Sequence, residues 1–569
     1  LLPTIGQPES HFDLNDSQKN ALDSITKAIE SKSGETFLIF GVTGSGKTEI
    51  YLESCRRALA LGKKATVLVP EIALTYQTVR RFMQAFPGRI ALLHSELTKR
   101  ERLHEWRSVR RGERDIVIGA RSALFAPVEN RGLIIIDEES ETAYKQHQRP
   151  RYHAREVARR MAKTEGSVLI LGSATPSLES FHAAKSGQFR LIRLPSRAVG
   201  GALPNVRLIR PDIVLTSRKT ENDKSLTIDG RELPIGLLST DLRNEVALTL
   251  EMKRQALLFL NLRGFSQALI CPKCGWVPLC PECDIALTYH RKSHTRCCHH
   301  CGHSAPVAWV CEKCGNKDMK YLGWGTERLE AEVRELFPDA RVMRMDRDTV
   351  STRGRRKKIV DAVHSGEADI LLGTQMIAKG LHFPSVRLVG VISADQSLHM
   401  PDFRAAERTF QLLTQVIGRA GRSDFLESEG GGVAVIQSYD PVNRVLENAC
   451  RQDFESFYES EIILRRKFVY PPICHVARIV MSGTNKEIIW KLCMAFASAL
   501  LSAKSGDDMS FLGPSPAPLE RLEGKYRFHF ILKAPRVSRL TNWLISARKM
   551  TRPERNVKIE IDIDPVSML

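Results

Sequence analysis

Six short apolar, β-rich runs, at residues 36–40, 66–69, 89–93, 115–118, 133–136 and 167–171, alternate with polar stretches suited to helices. Strands that are apolar almost throughout are buried on both faces, which happens when crossover helices cover both sides of a parallel sheet. The rhythm returns at 255–260, 341–345, 368–372, 386–392 and 432–437, so a second sheet of the same α/β kind is expected. Between the two, residues 197–229 are polar and charged without periodicity and read as part of a linker over 197–235. From about Tyr439 the pattern becomes mixed α+β and closes on an apolar strand-like run at 557–563. A length of 569 residues allows several domains of ordinary size, and the last of these is placed at 441–569.

Residues 41–48 read Gly41, Val42, Thr43, Gly44, Ser45, Gly46, Lys47, Thr48, directly after the first run and before a helix-compatible stretch. A glycine-rich turn between strand and helix lets backbone N–H groups converge on phosphate oxygens, while the helix N-terminus adds its positive dipole end. In that frame Lys47 reaches the β and γ phosphates of ATP, and Thr48 ligates Mg2+. Hydrolysis also needs one carboxylate for the metal and another to orient water. The run at 133–136 ends on Asp137 and Glu138, which suit those two roles. Cationic stabilisation of the transferring phosphoryl group is expected from Arg419 and Arg422 of a second lobe. They lie three apart in the stretch 415–422, on one face if that stretch is helical.

Nine of the thirteen cysteines fall between Cys271 and Cys314, and eight of them form four Cys-x-x-Cys pairs: Cys271 with Cys274, Cys280 with Cys283, Cys298 with Cys301, and Cys311 with Cys314. A two-residue spacer lets two thiolates meet one tetrahedral metal, and two pairs close a Zn2+ site. Disulfides are the alternative, disfavoured in the reducing compartment of an ATP-hydrolysing protein. Two structural Zn2+ ions are expected, but spacing does not decide which pairs share a metal. Cys297 is one thiol too many. A non-ligand role is its default reading, with it, His299, His300 or His303 as alternative ligands, while Cys55, Cys450, Cys474 and Cys493 read as core thiols.

A formal charge of +19 makes a polyanion, nucleic acid above all, the leading partner class. The stretch 144–155 sharpens this by mixing Tyr144, His147, Tyr152 and His153 with Lys145, Arg149, Arg151 and Arg155. Aromatics stack on bases and cations meet phosphates, the combination that suits single-stranded DNA. A basic helix edge with buried tyrosines is the plainer alternative. No apolar run approaches the ~18 residues of a membrane span, and residues 1–10 lack the features of a signal peptide. No membrane partner is expected, and the chain is read as soluble and intracellular.

In order, residues 43–48, Asp137-Glu138-Glu139, Ser173-Ala174-Thr175 and 415–422 resemble the motifs of superfamily 2 helicases. The finer likeness is to the replication-restart helicases of the primosomal protein N′ (PriA) family. It runs through 66–75 (TVLVPEIALT), 119–127 (GARSALFAP), Tyr144-Lys145-Gln146, 151–155 (RYHAR) and 373–380 (GTQMIAKG), then 468–472 (FVYPP), 513–517 (GPSPA), Tyr526-Arg527 and 562–565 (DIDP). Together these span nearly all of residues 13–569.

The resemblance implies two RecA-like lobes, at 13–196 and at 236–270 with 318–440. It also implies a zinc-binding insertion at 271–317 and a C-terminal domain that binds DNA or partners. The implied activity is that of an ATP-dependent 3′ to 5′ DNA helicase. Such an enzyme remodels stalled or abandoned forks, promotes primosome assembly and reloads the replicative helicase, in a bacterial cytoplasm close to the nucleoid. Implied partners are single-stranded and forked DNA, primosome proteins, single-strand DNA-binding protein and helicase-loading factors. Gln18 is implied to contact adenine, Ser173 and Thr175 to relay hydrolysis to movement, and 144–155 to be an aromatic-rich coupling loop. The implied zinc pairing is nested, with Cys271, Cys274, Cys311 and Cys314 on one ion and Cys280, Cys283, Cys298 and Cys301 on the other. Two positions depart from the pattern: Ser140 stands where the family usually has His, and Leu262 where it commonly has Arg. The family carries an N-terminal DNA-binding region ahead of this core, for which residues 1–12 leave no room in the sequence as given. Two other readings fit the residues, a motor that unwinds only weakly and a zinc scaffold for replication proteins.

Overall fold

A computed structural model describes residues 14–568 except 43, 71–77, 96, 196–203, 212–226, 229–230, 233–236, 261–268, 272, 275, 282–285, 291–294, 299–301, 308, 318, 322–325, 347–348, 350–354, 379–382, 384, 422–430 and 553. Thr43, Leu262, Cys283, His299, His300, Cys301 and Arg422 therefore lie outside the described residues, as do parts of the motifs at 66–75 and 373–380. The chain falls into two compact units, one up to residue 201 and one comprising nearly all of the rest.

The first unit opens with α1 (Asp16–Glu30), where Asn15 and Gln18 form a capping box. Strand and helix then alternate through β1 (Thr36–Gly41), α2 (Lys47–Ala60), β2 (Lys64–Leu68), α3 (Thr78–Ala85), β3 (Ile90–Leu93), α4 (Lys99–Arg110), β4 (Ile116–Gly119), β5 (Arg131–Asp137), α5 (Ala154–Glu165), β6 (Val168–Ser173), α6 (Leu178–Lys185) and β7 (Arg190–Leu194). The sheet order is β3-β4-β2-β5-β6-β1-β7, parallel at every pairing. Ile134, Ile135 and Ile136 of β5 and Leu169, Ile170 and Leu171 of β6 have no solvent exposure, as a sheet covered on both faces demands. Strand β7 is not among the expected runs. It is an edge strand with Arg190 and Arg193 exposed, so its apolar signal is that of a half-covered strand.

The second unit begins with β8 (Asn205–Ile209), the hairpin of β9 (Thr227–Ile228) and β10 (Arg231–Glu232), α7 (Thr240–Glu251) and β11 (Gln255–Phe259). The cysteine-rich insertion follows with β12 (Leu269–Ile270), β13 (Thr288–His290), β14 (Thr295–Cys297), β15 (Ser304–Pro306) and β16 (Lys320–Tyr321). Strands β12 and β16 pair antiparallel, so the insertion leaves and rejoins the lobe at one place. Next come α8 (Thr326–Leu336), β17 (Val342–Met345), α9 (Arg355–His364), β18 (Ile370–Gly373), α10 (Gln375–Ala378), β19 (Val386–Val391), α11 (Asp395–Leu398), α12 (Ala405–Ile417) and β20 (Val433–Gln437). They complete a parallel sheet of order β17-β18-β11-β19-β20-β8. The expectation of a structureless linker at 197–229 is thereby corrected in part: residues 205–209 pair with β20 as the sheet edge. Being half-buried, they carry no strong apolar signal.

Helices α13 (Arg444–Arg451) and α14 (Phe454–Lys467) lead to β21 (His475–Gly483), α15 (Lys486–Ser502), β22 (Ser510–Leu522), β23 (Lys525–Ala534), α16 (Val537–Met550) and β24 (Lys558–Ile563). The antiparallel order β22-β23-β21-β24 is that of a split βαβ, ferredoxin-like layer. Phe496, Leu540 and Trp543 of its helices close a core over Ile479, Phe530 and Leu532. Among the described residues no helix is long and apolar enough to cross a membrane.

This C-terminal layer belongs to the same compact unit as the second lobe, and the joint is ionic as well as apolar. Arg465 of α14, 2% exposed, donates to Glu461 at 2.8 Å, to Glu407 of α12 at 3.2 Å and to the Pro471 carbonyl at 2.8 Å. Phe403 stacks on Tyr470 at 4.5 Å, with the Arg404 and Arg465 guanidiniums each 4.9 Å from its ring. Removing one member of a buried ion pair strands the other's charge, so Arg465→Ala should lower the unfolding free energy of this unit by about 3–5 kcal/mol. Lys486→Ala, which breaks the exposed pair with Glu520, should lower it by under about 1 kcal/mol. Denaturant titration of the full chain reads both.

Candidate active site and metal centre

Strands β1, β6 and β5 are neighbours, in a register that sets Phe40 beside Ser173 and Asp137 beside Gly172. Their carboxyl ends deliver the phosphate loop, Ser173 and Asp137 to one edge, where parallel sheets bind ligands. Gly44 and Gly46 have φ of 85° and 79°, left-handed values that glycine adopts at little cost. Gly46 is the N-cap of α2, so Lys47 and Thr48 open that helix. The Lys47 ammonium donates to the carbonyls of Gly41 at 2.8 Å and Val42 at 3.3 Å, which holds it against the loop. Gln18 braces the loop from α1. Its amide donates to the Ser45 carbonyl at 3.1 Å and its oxygen accepts from Asn15 N–H at 3.0 Å. An adenine contact would have to use the remaining N–H and lone pair of that carboxamide.

Asp137 accepts from the Tyr51 hydroxyl at 3.0 Å. Burial pushes its carboxyl above the usual carboxylate range, and the attraction of Lys47 offsets only part of that. Burial, and next Asp137 itself, push the Tyr51 and Tyr144 hydroxyls well up, so both remain protonated donors. Gly172 makes the approach of Tyr51 possible, since a Cβ there would lie 1.6 Å from the Tyr51 hydroxyl. Ser140 Oγ lies 3.5 Å from Ser173 Oγ, which in turn accepts from Thr175 N–H at 3.1 Å. The residue standing in for the family's usual His thus sits beside the Ser-Ala-Thr turn.

Sequence reasoning missed the part played by Glu139. Its side chain has no solvent exposure. The carboxylate accepts from Ser177 N–H at 2.6 Å, Ser177 Oγ at 3.1 Å, Ser180 Oγ at 2.9 Å and the Arg155 guanidinium at 2.8 Å. The only signal was a third acid in Asp-Glu-Glu, and nothing local says which cation it meets.

The stretch 144–155 is only partly what its composition suggests. Tyr144 and Lys145 are 1% and 2% exposed, so neither faces a nucleic acid. The Tyr144 hydroxyl lies 2.6 Å from the Asp137 carbonyl and 3.1 Å from that of Leu68. Lys145 bridges to His153, and Gln146 N–H donates to the Tyr152 carbonyl at 2.8 Å. These contacts close a hairpin whose tip exposes His147, Gln148 and Arg149. Tyr152 meets Phe125 edge-on at 5.2 Å.

Helix α12 stops at Ile417 and Arg419 lies in the turn beyond it, so a helical face does not carry the two motif arginines. Gly418 is the C-cap of that helix, and the turn closes on Gly421. Its φ is 65°, and a Cβ on it would lie 2.7 Å from the Gly432 nitrogen.

In the insertion, the Sγ atoms of Cys271, Cys274, Cys311 and Cys314 all lie within 4.8 Å of one another. The Cys271–Cys314 and Cys274–Cys311 separations are 3.6 and 3.5 Å. That is far beyond the ~2.05 Å of a disulfide and close to the edge, about 3.8 Å, of a tetrahedron with ~2.3 Å Zn–S bonds. The N–H of Cys271 donates to the Trp276 carbonyl and that of Cys311 to the Asn316 carbonyl, which makes two matching turns. Burial opposes ionisation of Cys271, yet the backbone N–H groups of Cys274 and Lys273 bring it down to about 7. This donor set fits Zn2+. A Cys298 turn of the same form donates to His303, and Cys280 and Cys298 share an apolar cluster with Leu287 and Leu512. Cys283 and Cys301 lie outside the described residues. Cys297 Sγ approaches the Cys298 carbonyl at 3.7 Å and is not in the four-thiol cluster.

Two outcomes are expected. Gly172→Ala should displace Tyr51 and destabilise the first unit by about 1–3 kcal/mol, the usual cost of overpacking, with part of the loss regained in Gly172→Ala/Tyr51→Phe on thermal unfolding. Cys311→Ser should lower the zinc content of the purified chain by about one equivalent, since a closed site needs all four ligands.

Residues 15–183 match the DEAD/DEAH box helicase family and 317–424 the helicase conserved C-terminal domain. Residues 280–306 match the Cys-rich region domain of the PriA DNA helicase, and 466–566 the primosomal protein N C-terminal domain. The chain is 43% identical over 560 residues to the replication restart protein PriA of Bacillus subtilis (strain 168), covering 98% of this chain and 67% of that one. It is 38% identical to those of Treponema pallidum (strain Nichols) and Chlamydia trachomatis serovar D, covering 98% and 97% of this chain and 80% and 71% of theirs. With such identity along nearly the whole chain, and with its cysteine-rich and C-terminal segments both matched in place, the chain belongs to the replication restart protein PriA family of helicases.

Proposed function

We propose that the chain spends ATP hydrolysis at the ends of β1, β5 and β6 on unwinding and remodelling DNA at stalled replication forks. One observation carries this: in a member of a restart-helicase family, the register of three parallel strands brings the phosphate loop, Asp137 and Ser173 to a single edge. Loop N–H groups and the α2 N-terminus hold the phosphates, and Lys47 releases the Gly41 and Val42 carbonyls to meet the β and γ oxygens. Glu138 takes the proton of the attacking water. Asp137 and Thr48 would hold Mg2+, which when bound would supply neutralisation of the charge that builds up on the nucleotide phosphates. Arg419 and Arg422 are the proposed arginine fingers, with hydrolysis relayed through Ser173 and Thr175.

The finer assignments belong to the same proposal. The lobes, insertion and C-terminal domain take the boundaries 13–196, 236–270 with 318–440, 271–317 and 441–569. Two structural Zn2+ ions are bound, the second by Cys280, Cys283, Cys298 and Cys301. Movement is 3′ to 5′ on single-stranded DNA. Partners are forked DNA, primosome proteins, single-strand DNA-binding protein and helicase-loading factors, in a bacterial cytoplasm.

The test is fork unwinding and ATP hydrolysis by the full chain and by Lys47→Ala. Losing the phosphate contact should cut hydrolysis by about a hundredfold or more and abolish unwinding. Binding to DNA should persist because the basic surface stays. Equal unwinding by both proteins sinks the site assignment, and stronger stimulation of hydrolysis by RNA than by forked DNA sinks the restart reading.

A further inference from the structure

Helix α4 packs on β3, the outermost strand of the first sheet, and of its side chains only Ser108 and Val109 are buried. At 3.6 residues per turn, positions i, i+4, i+7, i+8 and i+11 share one face. Here they are Lys99, Leu103, Trp106, Arg107 and Arg110, all exposed. Arg100 adjoins this face, and Arg111 follows as the C-cap. Leu103 and Trp106 in its middle are 48% and 36% exposed, an apolar pair left in water between cations.

The two acids of the helix are spent elsewhere. Glu101 accepts from Thr98 N–H at 2.8 Å and from Thr98 Oγ1 at 2.7 Å in a capping box, and Glu105 buries one carboxylate oxygen. A solvated helix face ordinarily mixes the two signs, because opposite charges three or four positions apart attract and like charges repel. On α4 Arg107 has Arg110 and Arg111 at those spacings, and Lys99 has Arg102. Among the described residues Lys99, Arg100, Arg107 and Arg110 form no ion pair. The repulsion within this face is left for a partner to relieve. Strand β3 runs parallel to β4, so α4 begins on the edge of the sheet that carries the phosphate loop.

We propose that the outer face of α4 is a docking site for the duplex arm of a DNA fork, with Arg100, Arg107 and Arg110 meeting backbone phosphates while Leu103 and Trp106 lie against the sugars. This rests on the reading of forked DNA as the partner. Shape favours a duplex over a single strand. The face is convex, and a helix of ~10–12 Å diameter enters a major groove ~12 Å wide, whereas single strands are held in grooves that track the backbone and stack the bases. Charge favours DNA over an acidic protein. A row of cations ~17 Å long, with no acid on it, matches a polyanion of regularly spaced charge, while the centre of a protein interface is depleted of charge.

The experiment measures binding of the full chain, by fluorescence anisotropy, to a blunt duplex, a fork and oligo(dT) over about 50–200 mM salt. For Arg100→Ala/Arg107→Ala/Arg110→Ala, affinity for the duplex and the fork should fall by about tenfold or more at the low-salt end. The slope of log affinity against log salt should become shallower by about 2–3, since each lost phosphate contact removes ~0.9. Affinity for oligo(dT) should change by less than about twofold. The corresponding triple Lys variant keeps the charge and should bind the duplex within about threefold of the unsubstituted chain. Alanine is the best helix former, so α4 should persist. If the triple variant does not fold, Arg107→Ala alone should still flatten the duplex slope by about 1. Lys19→Ala/Lys27→Ala/Lys163→Ala, which removes three exposed cations elsewhere in the same unit, should leave that slope unchanged. An unchanged duplex slope in the α4 variants overturns the proposal and leaves the face to an acidic protein. An equal loss of oligo(dT) affinity overturns it in favour of a single strand, and an equal flattening in the Lys19/Lys27/Lys163 variant overturns it in favour of diffuse charge. An unsubstituted chain that binds the fork no better than its α4 variants removes this site alone, whereas one that binds neither duplex nor fork removes the functional reading as well.

Discussion

A strand paired on both edges and covered on both faces has no room for charge except at its ends. In the first unit β5 is buried from Arg131 to Ile136 and β6 from Val168 to Ser173, and Arg131 is itself paired with Glu165. The charged and hydroxyl-bearing side chains that such strands carry therefore gather where the strands run out. Desolvation at that edge raises Asp137, and Tyr51, Lys47 and the close approach allowed by Gly172 answer it. The cluster of polar groups at this edge is in this sense a product of sheet burial: the same packing that excludes charge from the strands concentrates it at their carboxyl ends.

The second unit meets the same constraint with other groups. At the end of β20 the Gln437 amide donates to the Leu237 and Ile392 carbonyls at 2.8 and 2.9 Å, and Asp395 accepts from Ser438 and from Tyr439 N–H. Burial lifts Asp395 to about 6, against the pull of those hydrogen bonds. Beyond this edge the chain builds an ionic joint rather than a free linker. Glu407, Glu461 and Arg465 satisfy one another out of water, and Asp402 holds both Arg408 and the Met568 N–H. The insertion is drawn into this unit as well, with Cys280 and Cys298 clustered against Leu512 of β22.

Much of this was legible in the chain because it is written in local terms. The strand-loop-helix setting of Lys47, the acids closing β5 and the cysteine pairs each lie within a few residues, where backbone geometry and ligand spacing act directly. Two strands with one solvent-facing side were not legible. Strands β7 and β8 are edges, and half-exposed residues leave only a weak apolar pattern. The stretch 144–155 misled for the converse reason, since composition shows that Tyr144 and Lys145 are aromatic and basic but not which way they point.

The sequence by itself determined two parallel α/β lobes, a glycine-rich strand-to-helix turn before Lys47, acids closing β5, a thiolate insertion and an α+β end. Periodicity and motif spacing depend only on neighbours along the chain. Tertiary structure alone decided that Cys271 and Cys274 meet Cys311 and Cys314, that Tyr51 reaches Asp137 past Gly172, and that the third acid of Asp-Glu-Glu is spent on Arg155 rather than on metal or water. Each is a meeting of side chains from separate strands, helices or turns. Burial forces such groups to find partners, and only the folded geometry says which partner is within reach.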